Sequence, residues 1–216
     1  MQNTLLEIDA AFTTHYKKML DVQEAVKKQL DTYPYDLTKD EITEAIIQRM
    51  YAFWHFSSRN NDLLGRRGNP VSADFFTESC LLFFKTYFEH ERHGFKVKSE
   101  HNIDPAPNRR LVKPDISIWK DDQLIATVEL KVSHGWKGKS IEEHLRQREE
   151  KIIVLRPSAW FGVLVFWNYS QPDAPQWGEK YFGLLNHKKD FNHQRTSLTV
   201  EHLMQKIEAH ANEVVK

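Results

Sequence analysis

Apolar residues near the start of the chain recur at helical spacing: Leu5, Ile8, Phe12, His15, Tyr16 and Met19 fall at intervals of about three and four and predict one face of a helix. A break is expected at residues 31–37, where Tyr33-Pro34-Tyr35-Asp36 mixes turn residues with aromatics. Thr38-Lys39-Asp40-Glu41 then has the Thr-to-Glu spacing of a capping box, and Ile42, Ala45, Ile46, Arg49, Met50 and Phe53 form the stripe of the helix behind it. Residues 60–70 (NNDLLGRRGNP) read as a loop, and residues 75–93 as a strongly apolar helix ended by Gly94.

The period then changes. Residues 95–98 and 116–119 alternate as strands do, around a loop at 104–108, and residues 124–132 form the next strand. Ser140 starts a polar helix over 141–155 that Pro157 stops. The run WFGVLVFW at 160–167 is continuously apolar and of strand length, as a buried central strand would be. After a loop at 171–178, residues 198–215 form an amphipathic helix. The pattern predicts an α/β fold: an N-terminal helical segment over 1–64, then a core over 65–216 with the order helix–strand–strand–strand–helix–strand and a last helix.

Composition narrows the classes. The chain has 216 residues, of which six are Trp, seven Tyr and thirteen Phe, enough apolar surface for a core and too much for a disordered chain. The single cysteine, Cys80, excludes an internal disulfide framework and a Cys-rich zinc site, and reads as a core residue. No run approaches the length of a membrane span, and the first twenty residues lack the order of a signal peptide, so a soluble, cytosolic protein is expected. Thirty basic residues balance thirty acidic ones. Locally, residues 1–64 carry a net charge of −3 and residues 92–156 one of +4, so a polyanion is expected along the middle of the chain.

The chemistry concentrates in residues 113–133, KPDISIWKDDQLIATVELKVS. On the later strand Val128, Leu130 and Val132 share one face, while Thr127, Glu129 and Lys131 share the other. A three-residue turn of Asp121, Asp122 and Gln123 pairs Lys120 with Leu124, Ser117 with Thr127 and Asp115 with Glu129. Opposed carboxylates that close repel unless one is protonated or a cation sits between them. A hard divalent ion such as Mg²⁺ meets that need, and Lys131, on the same face, is placed to hold a nucleophilic water or a phosphate transition state. Upstream, Glu78 shares a helix face with Leu81 and Leu82, which predicts an inward acid in want of a partner.

Pro114-Asp115, thirteen intervening residues and Glu129-Leu130-Lys131 resemble the motif of the PD-(D/E)XK, or restriction-endonuclease-like, nuclease superfamily. With the flanking helices and the apolar strand that follows, the resemblance covers roughly residues 72–170. It implies an α-β-β-β-α-β core in which Asp115, Glu129 and the Leu130 carbonyl bind Mg²⁺ (or Mn²⁺), Lys131 assists the attacking water and Glu78 is an accessory acid. Gln147 resembles a glutamine that some branches carry on the helix after the motif. The expected function is a Mg²⁺-dependent DNA endonuclease of restriction type, acting on double-stranded DNA, with residues 1–64 supplying homodimer contacts or DNA contacts, their net charge of −3 favouring the dimer, and no membrane partner. An RNA-cleaving toxin, a structure-specific nuclease and a non-catalytic nucleic-acid or protein-binding module that keeps the fold stand as alternatives.

Arg66 and Arg67, on a Gly-bounded loop, and Lys137, Lys139, Arg146 and Arg148, past the motif, are candidates for phosphate contacts. The plainer reading pairs the helix cations with Glu142, Glu143, Glu149 and Glu150. His134 and Trp136 lie near the motif, whereas His90-Glu91-Arg92-His93 lacks zinc-protease spacing and His187 and His193 lack a third ligand in view. In the plainest reading of the motif itself, Asp115 caps a turn and Glu129 and Lys131 are solvated on an open sheet face.

Overall fold

A computed structural model describes residues 3–67, 72–90, 94–104, 111–133, 141–169, 177–187 and 193–215. The described elements are α1 (Leu5–Leu30), α2 (Glu41–Leu64), α3 (Ala73–Phe88), β1 (Lys96–Ser99), β2 (Ile116–Lys120), β3 (Gln123–Lys131), α4 (Ile141–Leu155), β4 (Trp160–Asn168), β5 (Tyr181–His187), β6 (His193–Arg195) and α5 (Thr199–Val214). The chain divides into two compact units, Met1–Tyr35 and Asp36–Lys216. The sequence boundary after residue 64 thus moves back, because α2 buries Ile42, Ile46, Ile47 and Met50 within the second unit. The first unit is α1 with the turn behind it. None of the described helices is long and apolar enough to cross a membrane.

In the second unit one mixed sheet runs in the order β1-β2-β3-β4-β5-β6. The β1, β2 and β3 strands are antiparallel neighbours, β3, β4 and β5 are parallel, and β6 returns antiparallel to β5. The apolar run at 160–167 is a central strand, as its pattern predicts. The β5 and β6 strands, which the sequence reading lacks, extend the sheet beyond it.

Register assigns the faces. Val128 and Leu130 pair with Gly162 and Leu164, and Thr127, Glu129 and Lys131 with Phe161, Val163 and Val165. On the first face, the Phe166 ring meets Trp54 of α2 and Phe76 of α3 edge-on, and Gly162 lies under Leu203 of α5. On the second, Leu145 and Ile152 of α4 pack in one cluster with Phe161, Val163 and Val165. Both faces are covered, so every residue of β3 from Leu124 to Leu130 is buried.

The β2–β3 hairpin turns on two residues rather than three. Asp121 and Asp122 both have positive φ, 47° and 62°, as both central positions of a type I′ turn require. Lys120 therefore pairs with Gln123 and Trp119 with Leu124, one residue short of the expected register. The register then shifts between Ile118 and Trp119, and Ile118 pairs with Ala126, Ser117 with Thr127 and Ile116 with Val128. An extra residue on β3, Ile125, absorbs the offset as a bulge. The turn differs from expectation, yet the pairing beside Asp115 does not.

The helix starts also differ from their sequence signals. Thr38 makes no capping box; its amide and hydroxyl both donate to Asp36 Oδ1, at 3.0 and 2.6 Å. The α2 amides are capped from across the unit: Ile42 N and Thr43 N donate to Glu201 Oε1 of α5 at 2.7 and 2.9 Å, and the Thr43 hydroxyl to Glu201 Oε2. In return the start of α5 is satisfied from α2, with Val200 N donating to Thr43 Oγ1 at 2.9 Å and Leu198 N to Asp40 Oδ1 at 2.6 Å. Arg195 closes the lock on Asp40 and Glu44. Glu201 and Thr43 are fully buried, and each satisfies the other helix's orphan amides.

Candidate active site

The motif acids meet where β2 begins and β3 ends. Pro114 holds the residues before β2 extended, and Asp115 follows it at the strand's threshold. The Asp115 carboxylate turns across the hairpin and accepts the Leu130 amide on Oδ2 at 2.6 Å. Its carbonyl accepts from Ser99 Oγ at 3.0 Å and from Glu100 N at 3.3 Å, so β1 fixes the same residue from the other side. Leu130 is itself buried on the opposite face, which leaves only its backbone toward the acids.

Glu129 is 6% exposed. Burial and the charge of Asp115 push its carboxyl above the usual glutamate range, against the pull of Arg148 and Lys131. Lys131 Nζ lies 3.5 Å from Asp115 Oδ2 and 3.6 Å from Glu129 Oε2, a single cation spanning both carboxylates. On the other side, Arg148 Nε donates to Glu129 Oε1 at 2.8 Å while its NH2 donates to the Lys113 carbonyl at 2.5 Å. One side chain of α4 thus ties Glu129 to the backbone leading into the motif.

A cleft of about 200 Å³ opens here, lined by Glu129, Lys131, His144, Gln147, Arg148 and Lys151. A larger cavity of about 590 Å³ adjoins it, sharing Gln147 and Lys151 and walled by Val112, Val154 and Leu155. Three cationic side chains facing one small cleft suit an anion, and the apolar neighbour suits an uncharged group attached to it.

The two acids have the chemistry of a hard-cation site. A lysine nitrogen already occupies the position between them, and a Mg²⁺ ion takes one or two carboxylates, with carbonyl and water oxygens completing its shell. Among the described residues no group of three or more His, Cys, Asp or Glu side chains is arranged to hold a metal.

Glu78 departs from expectation. It is exposed on α3, because the helix buries Phe76, Ser79, Cys80, Phe83, Phe84 and Tyr87 and turns Glu78 away from that stripe. Among the described residues no hydrogen bond or ion pair joins it to the cluster, and its burial as an inward acid is corrected. Cys80 is fully buried, its thiol pushed far up by burial and by the nearby charge of Asp115, which marks it as inert core.

Gln147 lines both cavities and donates to Glu143 Oε1 at 2.9 Å. Arg66 and Arg67 are exposed just beyond the left-handed Gly65 that ends α2, with no side-chain bond to the cluster among the described residues. Lys137 and Lys139, with His134 and Trp136, lie outside the described residues. Arg146 follows the plainer reading and pairs with Glu150 at 2.8 Å. Arg148 does not. Its signal was readable: it sits three residues after Leu145 and four before Ile152, on the buried stripe of α4. His144 and Lys151, which the sequence reading left unassigned, flank that stripe.

The raised Glu129 carboxyl sets a sign for stability. The folded chain holds this proton to higher pH than the unfolded chain, so its contribution declines as pH rises from the ordinary value of 4.5 through the folded one. Urea unfolding of wild type and Glu129→Gln should therefore show the wild type losing ground from acidic to neutral pH. A wild-type advantage that grows over that range would reverse the assignment.

Neither family models, nor curated proteins, nor solved structures yield a match to this chain.

Proposed function

We propose that this chain is a Mg²⁺-dependent nuclease, a DNA endonuclease of restriction type. The observation that carries the proposal is the single lysine nitrogen 3.5 and 3.6 Å from two carboxylates, with Lys131 and Glu129 lining a cation-rich cleft. The element order α3-β1-β2-β3-α4-β4, with β4 parallel to β3, supports a restriction-endonuclease-like core. The adjoining apolar cavity has room for a base or sugar next to the phosphate, which supports a nucleotide chain over a small phosphate ester.

Asp115 and Glu129 would hold the metal, with the Leu130 carbonyl as a third ligand by resemblance. Held by these residues, a divalent ion would supply an acidified water and charge stabilisation for the leaving oxygen. Lys131 orients the attacking water and offsets charge building on the phosphate. Arg148 keeps Glu129 turned toward Asp115, and Lys151 and His144 receive the phosphate's free oxygens. Glu78 would act only from outside the buried stripe, and Arg66 and Arg67 would contact backbone away from the cleft.

A second reading, a non-catalytic nucleic-acid or protein-binding module, draws on Arg148, since Arg148 and Lys131 together neutralise both acids with no metal. One experiment separates the two. Plasmid DNA, single-stranded DNA and RNA are incubated with wild type and Asp115→Ala under Mg²⁺, Mn²⁺ or EDTA. The nuclease reading expects metal-dependent cutting that Asp115→Ala and EDTA both abolish, with the cut substrate naming DNA or RNA. Cutting that survives EDTA, or binding without cutting on all three and on genomic DNA, removes it.

A further inference from the structure

The longest helix among the described residues, α1, buries none of its side chains within its own unit. In α1, Leu5, Ile8, Phe12, Met19 and Val22 are each at least 62% exposed, and Leu6, Tyr16 and Leu20 join them at 61% or more. By contrast, α2, α3 and α5 all bury their apolar stripes.

A seam through this helix follows a stricter rule than amphipathicity, with Leu6, Tyr16 and Leu20 lying off it and Val26 on it half-buried. Leu5, Ile8, Phe12, His15, Met19, Val22, Val26 and Gln29 are spaced alternately by three and four, the a and d positions of heptads running the whole helix. A straight helix of 3.6 residues per turn would let that seam drift round its surface, so a sustained 3.5-residue repeat signals a partner wound alongside. The helix is also finished as a free-standing element. Thr4 and Glu7 form a reciprocal capping box at its start, and Lys27 and Lys28 sit in its last turn. A lone helix of this kind is marginal in water, and nothing in its own unit stabilises it by burial.

We propose that α1 pairs with α1 of a second copy as a parallel two-stranded coiled coil, making the protein a homodimer through its first unit. The area approaches what a dimer needs. At roughly 60–120 Å² per buried aliphatic or aromatic side chain, the six apolar seam residues supply about 360–720 Å² per helix, before His15, Gln29 and the flanking Tyr16 are added, against the roughly 800 Å² per partner of a stable interface. Charge decides the direction. The only charged residues flanking the seam at e and g are Asp9 and Lys18. A parallel pair sets Lys18 beside Gln23 of the other helix, whereas the antiparallel pair that preserves every layer sets Lys18 against Lys18. Parallel pairing also stacks His15 on His15 and Gln29 on Gln29, polar layers that fix the register. The inference is independent of the nuclease reading.

The test uses the full chain. Light scattering at micromolar concentration is expected to give the mass of a dimer. The double variant Phe12→Glu/Met19→Glu should weaken association by about 100-fold or more, because it places like charges in two core layers. Lys17→Glu, at an outer f position, should leave the dimer intact. Circular dichroism and urea unfolding of each variant verify that the Asp36–Lys216 unit stays folded. Oxidation of Val22→Cys should link the two chains, since facing d residues in a parallel pair come within disulfide reach and the native Cys80 is buried. A monomeric wild type, a dimer that survives the double glutamate, or a dimer that fails to cross-link through Val22→Cys overturns the proposal.

Discussion

On the proposed nuclease reading, Lys131→Ala is expected to lower the rate of phosphodiester cleavage by about 10²–10³-fold, the usual effect of removing one preorganised charge from a transition state. The amine stands between Asp115 Oδ2 and Glu129 Oε2, where attacker, metal and phosphate would all converge. Its loss also relieves the carboxylates of a competing cation. Metal affinity should therefore hold or rise while the rate falls, a combination that unfolding does not produce. Folding should suffer by about 1–3 kcal/mol, because the two acids lose the cation between them while Arg148 still pairs with Glu129. Single-turnover cleavage and Mn²⁺ titration of the same preparation measure both quantities. Equal rates for wild type and variant would eliminate Lys131 from the chemistry.

The second large effect is structural. Glu201→Ala should destabilise the Asp36–Lys216 unit by about 3–5 kcal/mol, as breaking one side of a buried ionic hydrogen-bond set does. Ile42 N, Thr43 N and the Thr43 hydroxyl all lose their acceptor in a place water does not reach. Glu201→Gln keeps one oxygen for the two amides and should lose substantially less. Urea midpoints at unchanged slope give the comparison. A loss below about 1 kcal/mol for the alanine variant would mean that solvent enters and replaces the carboxylate.

What the sequence made legible follows from what is local. Alternation in β3 and the apolar run of β4 set element type and facing, and the motif spacing brought Asp115 beside Glu129. The hairpin turn was misjudged because Asp-Asp is a weak signal for a two-residue turn, and a bulge at Ile125 is invisible to period counting. Glu78 was misjudged because two leucines three and four residues on define only one edge of a helix, and the buried stripe of α3 lies elsewhere. The contacts of Arg148 and Glu201 span 19 and 159 residues, distances over which no pattern of neighbours carries information. The short β5 and β6 strands owe their state to the sheet they complete. Even so, the inward position of Arg148 on α4 was there to be read.

The crossed caps of α2 and α5 also order events in time. As the chain is made from its N-terminal end, the amides of Ile42 and Thr43 emerge with no acceptor, and the carboxylate that quiets them arrives only when residue 201 does. Until then the front of α2 has water as its only partner, and an intermediate released early would fray at that point. The second unit therefore closes on α5, whose docking completes the front of α2.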